Sequence, residues 1–176
     1  SLDNKNPMHI YNKANLPKYC KSYICDIRDY NKVYKIFQKV RPDMVVHLAA
    51  QSLVIESYAK PFDTLFTNII GTLNILKLTN MFGSGKVINF TSDKVYENKI
   101  KNDPFKENDN LKGFDPYSLS KSCSDLIGQC LNMKYNNKSN KLQISTLRCG
   151  NLIGGGDWSK DRVIADYYLS YIKNKT

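Results

Sequence analysis

Val87-Ile88-Asn89-Phe90-Thr91-Ser92-Asp93-Lys94 changes character at its midpoint. The first four residues suit a buried strand, and two hydroxyls, a carboxylate and an ammonium come directly after it. In open α/β sheets ligands bind beyond the carboxyl ends of the strands. The polar half therefore stands where chemistry is expected, provided the sheet is parallel. The surrounding sequence predicts that it is. Residues 44–49 read as another buried strand, residues 22–25 as a short apolar one closed by Asp26, and residues 143–147 as a fourth. Helical patterns separate them. Tyr30, Val33, Tyr34, Phe37 and Val40 form one stripe with Asp29 as N-cap, and Arg41-Pro42-Asp43 breaks it. Residues 57–82 are mostly helical, with Pro61 marking a new start and Gly83-Ser84-Gly85 the stop. Phe62, Leu65, Phe66, Ile69, Leu73 and Leu76 supply the apolar side of that stretch. Residues 98–115 form a polar loop and residues 116–135 a helix. A glycine-rich loop, Gly154-Gly155-Gly156, precedes a last helix over residues 161–173. Mostly apolar strands alternating with helices predict a parallel sheet covered on both faces, a doubly wound α/β architecture.

The chain has 176 residues, 41% of them hydrophobic and 24% charged, enough for one sizeable core. Recurrent apolar runs exclude disorder as the main state, and ordinary Gly and Pro numbers without a short repeat exclude collagen-like and low-complexity chains. No apolar stretch approaches the ~18 residues that spanning a bilayer requires, so no membrane partner is predicted. A formal net charge of +10 invites a nucleic-acid reading. The lysines, however, are interleaved with Asn, as in Asn136-Asn137-Lys138-Ser139-Asn140-Lys141, and no basic stripe with aromatics emerges. They read as solvated loops, and no nucleic acid is predicted as a partner. Any anion, a nucleotide included, is still drawn to such a surface. Cys20, Cys25, Cys123, Cys130 and Cys149 are odd in number and lack a C-x-x-C, which suggests neither a disulfide framework nor a zinc site and fits a reducing cytoplasm. Cys123 and Cys130, seven apart, would share a helix face as small core residues.

A second chemistry-bearing run is Tyr117-Ser118-Leu119-Ser120-Lys121 at the start of a helix. Positions i and i+4 lie about 40° apart around a helix, so both side chains point the same way. An ammonium beside a phenol stabilises the phenolate, and a Tyr tuned in this way can take a proton from a sugar hydroxyl near neutral pH.

Strand-end Thr91-Ser92-Asp93-Lys94-Val95-Tyr96 followed by Tyr117-x-x-x-Lys121 resembles the extended short-chain dehydrogenase/reductase superfamily, in its NAD-dependent epimerase/dehydratase family. Further pieces match in order. Asp26-Ile27-Arg28-Asp29 resembles the family's adenine-contacting segment, His47-Leu48-Ala49-Ala50-Gln51-Ser52 its strand-end H-x-A-A motif, and Asn68-Ile69-Ile70-Gly71-Thr72 its N-x-x-G-T helix. Residues 91–98, Phe114-Asp115-Pro116-Tyr117-Ser118, residues 150–158 and Asp161-Arg162 narrow the resemblance to nucleotide-sugar 4,6-dehydratases acting on CDP-glucose.

The resemblance implies oxidation of the sugar at C4, loss of water across C5 and C6, and reduction at C6, with NAD regenerated in each turnover. It implies Tyr117 as the base at the 4-hydroxyl, Lys121 as its helper and the partner of the cofactor ribose, and Ser92 as a hydrogen-bond donor to the sugar. Asp93 would be the acid at the 6-hydroxyl, with Lys94 either the base at C5 or a stabiliser of the enolate. Asp26 and Ile27 would meet the adenine; Ala49, Ala50 and Gln51 would line the path of the cofactor backbone; Asn68 would sit near the nicotinamide end. Asn151 and Arg162 would approach the nucleotide-sugar phosphates. A homo-oligomer is implied, with the helices near 57–82 and 116–135 pairing across a dimer.

Members of the family open with a strand, a G-x-x-G-x-x-G turn and a helix whose amides cradle a pyrophosphate. That unit is not found in this sequence. Neither is a second strand ending in the acidic residue that selects NAD over NADP, nor the substrate region beyond the glycine-rich loop. Residues 1–176 therefore read as the central part of an NAD-binding Rossmann-like domain, incomplete at both ends. By itself such a chain would bind NAD weakly at best and show no turnover. The alternatives are another sugar-nucleotide dehydratase, a 4-epimerase or reductase of the same superfamily, and a non-catalytic remnant or binding module.

Overall fold

The computed structural model describes residues 10–82, 85–97, 103–136, 142–158 and 161–173. In chain order the elements are α1 (Ile10–Lys13), a 3-10 turn (Leu16–Lys18), α2 (Tyr30–Val40), β1 (Val45–His47), α3 (Val54–Ala59), α4 (Pro61–Leu65), a π-helical turn (Phe66–Ile70), α5 (Gly71–Phe82), β2 (Lys86–Phe90), a second 3-10 turn (Asp93–Val95), α6 (Pro116–Asn136), β3 (Gln143–Leu147) and α7 (Val163–Ile172). They fall into two compact units, Cys25–Gly150 and, separately, Ser1–Ile24 with Asn151–Thr176.

The larger unit is built on a parallel sheet in the order β1-β2-β3, with Val45 opposite Val87 and Val87 opposite Ile144. Because side chains alternate across a strand, that register stacks Val45, Val87 and Ile144 on one face, and His47, Asn89 and Thr146 beside them. On this face the valines and Ile144 pack with Leu76 of α5 and with Ile127 and Leu131 of α6. A second cluster joins Val33 and Phe37 of α2 to Ile75 and Leu78 of α5, with Phe82 and Val45 at its border. Asp29 caps α2 as expected, its carboxylate accepting the Lys32 N–H at 3.1 Å. Arg41 ends that helix in the left-handed region, φ 49°, and lays its guanidinium 4.7 Å over the Phe82 ring.

Four expectations are corrected here. Residues 22–25 form no strand: they lie outside any ladder, with Ile24 exposed, and the described sheet has three strands. A short apolar run shows β propensity, but a strand exists only where a neighbour supplies ladder partners. The helices contacting the sheet cluster on one face among the described residues, and Val46, Leu48 and Leu147 of the other face are exposed. Residues 57–82 begin earlier, at Val54, and bury Thr64, Asn68, Thr72, Ile75, Leu76 and Thr79. Of the apolar side read from the sequence, Phe62, Phe66 and Leu73 face outward instead. The π-helical turn causes part of this, since an extra residue in one turn rotates every later side chain relative to a 3.6-residue count. Cys130 is exposed and Cys123 half-buried, so the pair is not a core feature.

In the smaller unit Gly156 takes φ 83°, and a Cβ there would overlap Ile10 of α1. That glycine is required both by its conformation and by this close approach. Trp158 packs at 6.1 Å against Tyr168 of α7. Residues 98–102, part of the expected polar loop, and the stop at residues 83 and 84 lie outside the described residues. Among the described residues no helix is long and apolar enough to cross a membrane.

Candidate active site

Helix α6 organises the site. Asp115, just ahead of it, accepts the Ser118 N–H at 2.9 Å, and Pro116 takes the first helical position, where its missing donor costs nothing. The loop before it is held close by Gly113, where a Cβ would run into the backbone of Ser118 and Leu119. A period of 3.6 residues then puts Tyr117, Lys121 and Asp125 along one face.

Helix α6 meets the end of β2 and the turn that follows it at three points. Lys121 Nζ donates to the Phe90 carbonyl at 3.0 Å, Ser122 Oγ lies 3.1 Å from the Val95 carbonyl, and the Thr91 hydroxyl donates to Asp125 Oδ2 at 3.0 Å. Phe90, Thr91 and Val95 flank Ser92, Asp93 and Lys94, so the Tyr-x-x-x-Lys helix and the Thr-Ser-Asp-Lys turn are held together. Within the turn Ser92 is buried; its hydroxyl donates to Asp93 Oδ1 at 3.1 Å and accepts the Lys94 N–H at 3.2 Å. The Asp93 N–H donates to the Cys149 carbonyl at 3.0 Å, which ties the turn to the end of β3. The side chains of Asp93 and Lys94 are exposed. Lys121, by contrast, is 7% exposed, and burial lowers its pKa to about 8.

The β1 tip joins the same helix through Asn68. Its side-chain carbonyl accepts the Gln51 N–H at 2.8 Å, while its amide donates to the Gln51 carbonyl at 3.0 Å and to Ser120 Oγ at 2.8 Å. Asn68 is 1% exposed with every polar group engaged, so it positions Gln51 and α6 and presents no free group of its own. The π-helical turn that carries Asn68 is a common feature of functional sites. The Gln51 side chain is likewise committed, donating to the Leu53 carbonyl and to Thr64 Oγ1. Ala49 is exposed and Ala50 half-buried, so two small side chains stand at the β1 tip beside the exposed Leu48. Beneath them His47 Nε2 lies 3.0 Å from Thr72 Oγ1; burial first, then the charge of Lys121, lowers its pKa to about 4.

In the first turn of α5, Asn74 holds the Ile27 and Arg28 carbonyls at 3.0 and 3.1 Å. Arg28 grips Asp26 with two nitrogens and reaches Asp63 at 3.1 Å. The hydrogen bond from Arg28 holds the Asp26 carboxyl below its ordinary range.

This arrangement agrees with similarity to known proteins. A profile described as GDP-mannose 4,6 dehydratase matches residues 1–157. The chain belongs to that family. It is 37% identical over 180 residues to CDP-glucose 4,6-dehydratase of Salmonella typhimurium, covering 99% of this chain and 50% of that protein. It spans about half the length of that relative. UDP-glucose 4-epimerase of Thermotoga maritima, solved with UDP-glucose, superposes with a TM-score of 0.82 at 26% identity, over 92% of this chain and 52% of that one. The dTDP-glucose 4,6-dehydratase of Streptomyces venezuelae, a double mutant solved with NAD and DAU bound, gives 0.77 at 27% identity, over 93% and 49%. The fold is Rossmann-like, as the alternation of strands and helices predicted.

Of the residues singled out in the sequence, Ser92, Asp93, Lys94, Tyr117 and Lys121 gather around α6 and the β2 tip, with Ala49, Ala50, Gln51 and Asn68 held to the same helix at the β1 tip. Asp26 and Ile27 belong to the same unit, beside the first turn of α5. Asn151 and Arg162 belong to the smaller unit, where Arg162 pairs with Asp157 at 3.3 Å. Sequence reading missed Asp125 and Arg148, which form a buried ion pair. One signal was available: Asp125 repeats the four-residue step from Tyr117 to Lys121.

Proposed function

We propose that this chain carries the catalytic centre of a nucleotide-sugar 4,6-dehydratase, with CDP-glucose as substrate and NAD as a cofactor regenerated in each turnover. The observation that carries the reading is the Lys121 contact with the Phe90 carbonyl, with Tyr117 one turn before it and Ser92 and Asp93 next along the chain. The residues present fit the cofactor. The small side chains of Ala49 and Ala50 suit the approach of a ribose and pyrophosphate to the Gln51 backbone, and Asp26 with Ile27 suits an adenine. Asn68 acts here by holding Gln51. When bound, NAD supplies the acceptor for hydride from sugar C4 and the donor that reduces C6.

Tyr117 takes the proton of the 4-hydroxyl, and the Lys121 ammonium stabilises the phenolate. Ser92 hydrogen-bonds the same oxygen. Once C4 is a ketone the C5 proton is acidic. Asp93 gives a proton to the departing 6-hydroxyl, and Lys94 takes the C5 proton or meets the charge of the enolate. Asn151 and Arg162 serve the substrate phosphates. A cytoplasmic setting suits five free thiols. A second copy of the chain covers the outward row Phe62, Phe66, Ile70 and Leu73 together with Leu119, Leu126 and Met133 of α6, all exposed.

The test is to assay the intact protein carrying this chain with CDP-glucose, dTDP-glucose and GDP-mannose. The expected result is a 4-keto-6-deoxy product from CDP-glucose, and an Asp93→Asn variant that still oxidises C4 but loses dehydration by about 100-fold or more. An Asp93→Asn variant dehydrating at the wild-type rate would sink the assignment. The 0.82 TM-score favours a 4-epimerase as second reading. Epimerases need Tyr117 and Lys121 but have no use for an acid at position 93, so a C4-inverted product in the same assay would select them.

A further inference from the structure

One buried ion pair grips both ends of the turn that carries Ser92, Asp93 and Lys94. Asp125 is fully buried on α6 and Arg148, just past β3, is 13% exposed. Arg148 meets the carboxylate with two nitrogens, Nε at 2.9 Å from Oδ2 and Nη2 at 3.0 Å from Oδ1. The same carboxylate accepts the Thr91 hydroxyl at 3.0 Å, where the turn begins, and Gln129 Nε2 at 2.6 Å. At the other end of the turn Arg148 Nη1 lies 3.1 Å from Tyr96 Oη, and the guanidinium stacks 4.9 Å over the Tyr96 ring. Nη1 also donates to the Glu107 carbonyl at 2.8 Å, and Tyr96 stacks on Phe105 at 4.6 Å, so the loop outside the turn is pinned as well.

We propose that Asp125 and Arg148 are the positioning pair of this site, clamping Thr91 and Tyr96 so that Ser92 and Asp93 are held in register with Tyr117 and Lys121. Asp125 stands in line with Tyr117 and Lys121 on α6, so one carboxylate fixes both the turn and the rotation of the helix facing it. A buried ion pair is a weak source of net stability. A carboxylate with all four donors in place is a rigid node, and that is what a site needing close alignment requires. Arginine suits the task because its planar fork serves Asp125 from one edge and Tyr96 and Glu107 from another; the compact ammonium of lysine cannot span them. Burial alone would raise the Asp125 carboxyl, but the hydrogen bonds from Arg148 and Gln129 outweigh it and hold it below its ordinary range.

The kinetic consequence rests on the dehydratase reading, whereas the ordering of the turn does not, and two measurements separate them. The first is amide hydrogen exchange in the intact protein and in its Thr91→Val, Arg148→Lys and Asp125→Asn variants. The Asp93, Val95 and Tyr96 amides should lose about tenfold or more in protection, the equivalent of one charge-assisted hydrogen bond, while amides of the β2–β3 ladder keep theirs. Uniform loss across the protein, or no loss in Thr91→Val and Arg148→Lys, would overturn the clamp. If Asp125→Asn does not fold, those two milder variants decide.

The second measurement is kinetic. With the turn displaced, kcat for dehydration should fall about 100-fold with little change in KM. Wild-type kcat in a variant with a loosened turn overturns the positioning role. A wild-type protein without dehydratase activity defeats the dehydratase reading instead, and the exchange result still decides the clamp.

Discussion

His47 is a titratable group held neutral inside the sheet–helix layer, 5% exposed, on Thr72 and near the charge of Lys121. In an unfolded chain a histidine takes its proton near 6.5; here burial delays that to about 4. Between those values the unfolded chain binds the proton and the folded one does not, so stability present above pH 6.5 is lost as pH falls toward 4. The slope contributed is at most about 1.4 kcal/mol per pH unit. Urea unfolding at pH 7 and pH 4.5 should therefore show a smaller drop in midpoint for His47→Gln than for the wild type. Equal drops would show that His47 is not the group responsible. The Asp125 carboxyl acts in a lower window, because a carboxyl held below its ordinary range withdraws its stabilisation only at more acid pH. Individual residues of this site were legible from the sequence where their spacing carried chemistry, as with Tyr117 and Lys121. Asn68 was legible as a position but not as a role, since only folding brings Gln51 and Ser120 to its two ends.

Helix α6 is the element on which the site depends, and its entry is where it is most sensitive. Gly113 lies so close to the Ser118 and Leu119 backbone that a Cβ has no space, and backbone cannot swing aside as a flexible side chain would. Gly113→Ala is expected to destabilise the protein by about 1–3 kcal/mol, the usual cost of overpacking, and to disturb the start of α6. Chemical denaturation measures the first effect, and exchange of the Ser118 and Leu119 amides the second. A variant as stable as the wild type would show that the loop can move away freely. Periodicity predicted α6 from end to end within a residue or two. It misjudged residues 57–82 because the buried side there is largely polar, Thr64, Asn68, Thr72 and Thr79, while Phe62 and Phe66 point outward. Hydrophobicity locates a buried face only when burial within the chain is the reason the residues are apolar.

Those outward aromatics have meaning at the scale of the whole molecule. Phe62 is 75% exposed, Phe66 57% and Met133 72%. A row of large apolar side chains on neighbouring helices is more than a lone protein usually leaves in water. If a second copy covers them, sedimentation at micromolar concentration should give a species of at least two copies. Phe62→Glu combined with Phe66→Glu should give one copy, because two buried unpaired carboxylates in such an interface are prohibitive. A wild type that sediments as one copy would refute the pairing.

The sequence by itself determined the α/β class, the parallel sense of the sheet and the two runs that bear the chemistry, Thr91-Ser92-Asp93-Lys94 and Tyr117-x-x-x-Lys121. These are local properties: apolar blocks, helix-breaking residues and a four-residue spacing need no knowledge of what lies across the molecule. Only the tertiary structure decided that residues 22–25 form no strand, that the described helices gather on one face of the sheet, and that Asn68 is fully engaged. It alone brought Asp125 and Arg148 together, 23 residues apart in sequence, at the two ends of the Ser92–Lys94 turn. Each of these depends on which groups meet across the fold, and a partner distant in sequence leaves no periodic trace in the segment it completes.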